Sequence, residues 1–212
     1  MPYSREKSEF DRAIAFVDGT FAVALTLLVT SLDIDNRASS FKSVSALADA
    51  IGPQFITFLI AFGVISGYWL MHHRMVARFV AIDTPTIVAN LCLIAGIVLL
   101  PFSTAAVGDP GVDNLPLPTA VMAINIAAVS TLSMLVWVMA GRRGLLDHTP
   151  TSREWREKVI DGLAPAAVFL ASVPLAYLVS PTVAKLSWLS LFVVNPGVAE
   201  FTVRKRRLRD EG

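Results

Sequence analysis

Six stretches of this chain are apolar enough, and long enough, to cross about 30 Å of hydrocarbon, which takes about 20 residues of helix. They run approximately Ala13–Leu32, Pro53–Leu70, Ile87–Val107, Leu117–Met139, Val159–Val179 and Thr182–Val203. Pro165, Pro174, Pro181 and Pro196 interrupt the last two. Proline is tolerated in membrane helices where neighbours or local distortion satisfy the freed carbonyl, so kinks are expected there and not breaks. Composition closes the soluble alternative: 54% of residues are hydrophobic and only 17% charged, against roughly 25% charged in ordinary soluble domains. So few charges cannot cover a globule without leaving large apolar patches. The chain is expected to be an all-α integral membrane protein, one domain over residues 1–212.

Charge distribution gives the spans a direction. Basic residues near membrane helices collect on the cytoplasmic side. With the N-terminus inside, Arg5, Lys7, Arg12, Arg74, Arg78, the group from Arg142 to Lys158 and the cluster Arg204–Arg209 all fall inside. Of 18 lysines and arginines, only Arg37, Lys42 and Lys185 fall outside. An odd number of spans would put the Arg204–Arg209 cluster outside and spoil the bias. Six spans with cytoplasmic N- and C-termini are therefore expected, in a multi-pass protein of the cell membrane. Residues 1–12 form the cytoplasmic N-terminus and 204–212 a basic tail that anchors the topology, its contact with acidic headgroups being a second role open to it.

Several function classes fall away. The single cysteine, Cys92, forms no intrachain disulfide and no cysteine-rich metal site. Adjacent His72 and His73 diverge by about 100° on a helix and do not share a metal ion easily. A haem between spans would want another histidine in the bilayer, and the remaining one, His148, lies in a loop. No nucleotide-binding glycine motif and no strand–turn–helix nucleophile elbow is present. No enzyme, metal, cofactor, nucleic acid or soluble partner is expected. The first span follows basic residues as a signal peptide does, but its apolar run exceeds the usual h-region and carries Asp18. It is expected to remain.

That first span differs from the rest. A carboxylate inside a span costs about 2.5–3.5 kcal/mol on insertion scales, so Asp18 requires a reason. At about 100° per residue, Phe16, Val23 and Thr30 align, with Gly19, Thr20, Thr26 and Leu27 beside them. Asp18 lies about 200° from Phe16. The small and hydroxyl-bearing stripe either packs against another helix or lines a narrow path. Asp18 belongs to a different, intrasubunit contact. The second span returns to the same side carrying Trp69, His72, His73 and Arg74. Asp18 is expected to bond to His72 or His73, with the Trp69 indole N–H as a nearby donor. Such a contact is either a structural network or a pH sensor.

The same residues carry a resemblance. Arg12-x-x-x-Phe16-Val17-Asp18 resembles the Arg-x-x-x-Phe-Ser-Asp signature of prokaryotic relatives of the lysosomal potassium channel transmembrane protein 175. Gly19 to Val29 is similar to that family's continuing first span, and Trp69-Leu-Met-His72-His73-Arg74 to the end of its second. Asn90 and Leu99-Leu-Pro-Phe-Ser-Thr104 resemble its third span. The resemblance covers the first half of the chain by motif and the second half by span count.

The resemblance implies a potassium-selective cation channel of four six-helix subunits, its central pore lined by the first spans, without a Thr-Val-Gly-Tyr-Gly filter loop. This sequence lacks that loop too. Carried over from Asp18, the hydrophobic gate falls on Val23 with Leu27 as a second apolar layer, and the selectivity ring on Thr26. Thr20 and Thr30 are then further lining positions, and Arg12, Phe16, Asp18, Trp69, His72 and His73 form the signature and its polar network. Potassium is the permeant ion, and the partners are three further copies and the bilayer. Val17 departs from the signature serine, and Val23 is smaller than the family's usual leucine or isoleucine. The alternatives are a proton-coupled secondary transporter using Asp18 with His72 and His73, and a non-conducting membrane assembly protein.

Overall fold

The structure, a computed structural model, describes residues 3–4, 8–32, 37–112 and 114–191. Strand β1 (Tyr3–Ser4) precedes helix α1 (Ser8–Leu27), which tightens into a 3-10 turn at Leu28–Ser31. A short α2 (Arg37–Ser40) leads to α3 (Val44–Val76), and strand β2 (Ala81–Ile82) to α4 (Thr84–Gly108). Then follow α5 (Pro116–Arg142), α6 (Ser152–Leu178) and α7 (Pro181–Ser187), the last continued by a 3-10 turn at Trp188–Ser190. Among the described residues, five helical segments are long and apolar enough to cross a membrane: Ser8–Ser31, Gln54–Val76, Thr84–Gly108, Pro116–Arg142 and Ser152–Leu178. Helix α7 falls at the start of the stretch expected as a sixth span, and the rest of that stretch, residues 192–203 with Pro196, lies outside the described residues, as does the Arg204–Arg209 cluster.

Local chemistry sets where the helices begin. Ser43, Asp83 and Ser180 each accept a backbone N–H three residues on, from Ala46, Thr86 and Val183. Thr151 and Glu154 form a reciprocal capping box at the start of α6. Each cap satisfies donors that a helix N-terminus otherwise leaves unpaired. Apolar residues alone place the expected spans, which therefore begin late. The second starts near Pro53, whereas α3 starts at Val44. Within α6 the helix continues through Pro165 and Pro174, as α4 does through Pro101.

The basic loops gather at one end of the bundle. Strand β1 pairs antiparallel with β2, joining the N-terminal segment to the α3–α4 connection. The Val80 N–H donates to Leu145 O at 2.9 Å, and the Asp147 N–H to Arg78 O at 2.8 Å. Arg78 pairs with Asp147 at 3.3 Å and lies 2.7 Å from the His148 ring. Asp83, which caps α4, also receives the Arg143 guanidinium from just beyond α5. The ends of α3 and α5 and the starts of α1, α4 and α6 are thus stitched together.

Burial would raise the Asp83 carboxyl, but the Thr86 hydroxyl, the Arg143 guanidinium and the Thr86 amide together hold it below the ordinary carboxylate value. A depressed acid contributes stability that is complete above its unfolded value of about 3.9 and is lost as pH falls through the folded value. Arg143 is half-exposed, so solvent screening limits the contribution to about 1 kcal/mol. The difference in unfolding midpoint between the wild type and Asp83→Asn is expected to be largest at neutral pH. It should shrink below about pH 4, as heat-unfolding series across that range would show.

The core lies where α5 packs between α4 and α6. Ile97, Leu100, Ile126, Val129 and Val136 are fully buried there. Alanines and serines on α5, including Ala123, Ala127, Ser130 and Ser133, let its neighbours approach closely. Gly96 permits a close approach of α4 to α5: a Cβ there would lie 2.8 Å from Val129 Cγ2. By contrast α1 and α3 keep long apolar faces uncovered, among them Val23, Leu27, Val29, Ile56, Leu59 and Ile60.

Candidate functional site

Helix α1 has two faces, one buried and one open. Phe10, Val17, Phe21, Ala24 and Leu28 are buried against the bundle at three- and four-residue spacing. Phe16, Gly19, Val23, Thr26, Leu27 and Thr30 are exposed on the other side, with Thr20 half-buried at its margin. Val23 is 53% exposed and Leu27 40%, too much for residues serving only to pack α1 within its own subunit. A Cβ at Gly19 would meet nothing within 4 Å. In one subunit, therefore, the stripe has no helix packed on it among the described residues.

The threonine hydroxyls on this stripe are oriented by the helix itself. Thr20 Oγ1 donates to Phe16 O at 2.9 Å, Thr26 Oγ1 to Val23 O at 2.7 Å, and Thr30 Oγ1 to Leu27 O at 2.6 Å. Each hydroxyl spends its one proton on its own backbone. What remains available outward is oxygen lone pairs, which attract a cation and have nothing to donate to an anion. The exposed surface of α1 therefore alternates apolar rungs, Val23 and Leu27, with acceptor oxygens at Thr20, Thr26 and Thr30.

Asp18 is half-buried and points away from this stripe. It accepts a hydrogen bond from the Trp69 indole, Nε1 to Oδ1 at 3.0 Å, which ties α1 to α3. The expected bond from a histidine is not made, and the reason is angular. His73, one turn after Trp69, stacks on its ring at 5.5 Å between centroids. His72 is turned about 100° from it and meets Phe21 of α1 at 5.8 Å. His72 is 1% exposed, and neither of its ring nitrogens has a partner among the described residues. Arg12 is exposed at the start of α1. Asp18, Trp69 and His72 thus hold α1 against α3, whereas Phe16 lies on the stripe itself.

Other polar groups link helices at depth. The Tyr68 and Ser130 hydroxyls lie 2.6 Å apart and join α3 to α5, a pair with no sequence motif to announce it. Asn90 and Thr104 of α4 are buried, each with an oxygen that has no hydrogen-bond partner among the described residues. Nor, among those residues, do three or more His, Cys, Asp or Glu side chains gather where they could hold a metal ion.

Comparison with known proteins assigns this architecture. Residues 12–101 match the family described as the endosomal/lysosomal potassium channel TMEM175. A potassium channel of Chamaesiphon minutus is 32% identical over 106 residues, covering 49% of this chain and 52% of that protein. A potassium channel of Streptomyces collinus is 28% identical over 105 residues, covering 48% and 49%. The endosomal/lysosomal proton channel TMEM175 of Mus musculus is 28% identical over 161 residues, covering 71% of this chain and 30% of its own length. The matches thus span about half the length of these bacterial relatives. The fold extends further than the sequence match. The crystal structure of a lysosomal potassium-selective channel TMEM175 homologue from Chamaesiphon minutus aligns with a TM-score of 0.67 at 22% identity, over 93% of this chain and 98% of that one. A variant of the potassium channel MtTMEM175 aligns at 0.65 and 18% identity, over 98% and 97%.

Proposed function

The chain belongs to the TMEM175 family through residues 12–101, and we propose that it is a potassium-selective cation channel. Four copies surround a central pore with their α1 stripes, which accounts for the exposure of so apolar a face. Six spans per subunit with both termini cytoplasmic, in the cell membrane and without a filter loop, complete the arrangement. The observation that carries the reading is the commitment of the Thr20, Thr26 and Thr30 hydroxyl protons to their own helix. It leaves rings of acceptor oxygens beside apolar rungs at Val23 and Leu27, a surface suited to a partly dehydrated cation.

Val23 closes the path by making it too narrow and apolar to hold water, with Leu27 as the next layer. Potassium sheds part of its hydration at Thr26 and recovers it beside Thr20 and Thr30. Hydroxyl oxygens are weak ligands, so potassium is preferred over sodium only modestly. Ions move down their electrochemical gradient. The Asp18–Trp69 bond holds α1 on α3 and fixes the direction in which the stripe faces.

Recording from purified protein in planar bilayers, under potassium and sodium gradients at several pH values, tests the reading. Channel currents that do not saturate steeply are expected. Flux that saturates and requires a proton gradient would instead favour a proton-coupled transporter using Asp18, His72 and His73, and no flux a non-conducting assembly. Thr26→Ala is expected to bring the potassium-to-sodium permeability ratio close to one. An unchanged ratio would remove Thr26 from selectivity.

A further inference from the structure

Between the first turns of α4 and the last turns of α5 runs an open apolar groove of about 470 Å³. Thr84, Val88 and Cys92 line it from α4, and Leu132, Leu135 and Met139 from α5. Thr84 to Cys92 spans about 12 Å of helix, so the groove runs inward from the helix ends. Val88 is 51% exposed and Leu135 44%, so both are open to whatever lies beside this subunit.

The outer end of this groove is basic. Arg142 closes α5, three residues after Met139 and seven after Leu135, and at about 100° per residue it stands within about 60° of both. It is exposed and has no ion pair or hydrogen bond among the described residues. Its neighbour Arg143 is engaged, because its guanidinium meets Asp83, the carboxylate just before α4. Asp83 is buried and also accepts from the Thr86 amide and hydroxyl. That pair presents no net charge, and Arg142 leaves one uncompensated positive charge where the groove opens.

We propose that this groove binds an anionic phospholipid, with one acyl chain along Val88, Leu132 and Leu135 and the phosphate headgroup at Arg142. Charge complementarity selects the occupant. An acyl chain alone gains little from the groove, since hydrocarbon already surrounds a membrane helix. A guanidinium without a partner favours a headgroup that carries net negative charge, and its planar fork suits phosphate oxygens. The groove decides where the lipid lies, and Arg142 decides which lipid it is. The site does not depend on whether the protein conducts.

Native mass spectrometry of the detergent-purified protein counts bound lipids and reports the oligomer in the same spectrum. The protein is titrated with dioleoylphosphatidylglycerol and with dioleoylphosphatidylcholine, which has the same chains and no net charge. Wild-type protein is expected to bind the glycerol lipid about fivefold more tightly, the worth of one basic residue beside an anionic headgroup. Arg142→Gln, which removes the charge, and Val88→Trp, which fills the groove and keeps the charge, are each expected to abolish that preference. Arg156→Gln, an equal loss of charge on α6 away from the groove lining, should leave it intact. If Val88→Trp does not fold, the two arginine variants still decide. Equal affinities in wild-type protein, a preference that survives Arg142→Gln or Val88→Trp, or an equal loss in Arg156→Gln would overturn the proposal. A neighbouring copy seated on the groove would overturn it too, showing as no preference in wild type and a broken assembly in Val88→Trp.

Discussion

Val23→Ser is expected to raise the resting potassium current of the reconstituted protein by about tenfold, equivalent to a barrier lower by ~1.4 kcal/mol. Val23 lies on the exposed face of α1 with a large part of its side chain uncovered. In a tetrameric pore its isopropyl groups would face one another across the axis. An apolar constriction of this kind stays closed because water leaves it, and the ion is not admitted without water. Serine replaces the branched apolar end with a smaller hydroxyl group, which both widens the gap and wets it. The substitution touches no buried contact, so folding and assembly should be unaffected. Single-channel recording separates the two consequences: open probability should rise much more than unitary conductance. A resting current equal to that of wild type would place the gate elsewhere, Leu27 being the next apolar rung.

The second large effect concerns the frame that carries α1. Gly96→Leu is expected to destabilise the bundle by ~3 kcal/mol, the upper end of the usual cost of overpacking. A Cβ at position 96 would already lie 2.8 Å from Val129 Cγ2 and 3.7 Å from the Asn125 side-chain amide. Valine is stiff at χ1 and cannot swing aside cheaply, and Val129 is itself fully buried. Between membrane helices, close packing supplies much of the association energy that water provides in soluble proteins. Parting α4 from α5 therefore loses contacts with no compensating burial. Reversible unfolding in mixed micelles measures this. A loss below about 0.5 kcal/mol would mean that the two helices separate more easily than their packing indicates. Gly63 and Gly67 of α3 make a useful contrast, since a Cβ at either meets nothing within 4 Å of this subunit.

Much of this was legible in the residues. Apolar run length located the five described spans, because membrane helices are selected by hydropathy before any tertiary contact. The 3.6-residue period also set Val23, Thr26 and Leu27 on one face of α1, apart from Asp18, whereas the burial of Val17, Phe21, Ala24 and Leu28 is read from the fold. Asp18 advertised itself as an exceptional charge, and Trp69 was recognised as a nearby donor. What periodicity could not do was choose between Trp69, His72 and His73 as the bonding partner. That choice depends on the rotation of α3 about its own axis, to within less than the angle between adjacent residues.

Other features escaped for different reasons. The polar first turns of α3 and α6 carry caps at Ser43 and Thr151, and an apolar scan passes over them although Thr151-x-x-Glu154 reads as a capping box. The pairing of β1 with β2, the Arg143–Asp83 ion pair and the Tyr68–Ser130 contact each join residues about 60 or more positions apart. Nothing local encodes them. The orphan oxygen of Asn90 is subtler. The valine at position 17 is visible as a departure from the signature, but only the fold brings it and Asn90 to the lining of one small cavity between α1 and α4.

If the open face of α1 is the wall of a cation path, its side chains are accessible from the pore during conduction. Cys92 is exposed, so the experiment is run in a Cys92→Ser background. Val23→Cys and Thr26→Cys proteins are reconstituted separately, and potassium current is recorded before and after a thiol-reactive quaternary ammonium reagent. Leu59→Cys, on an exposed face of α3, serves as the control. Labelling at Val23 or Thr26 is expected to remove most of the current while labelling at Leu59 leaves it intact. Full labelling at both α1 positions with an unchanged current would contradict it.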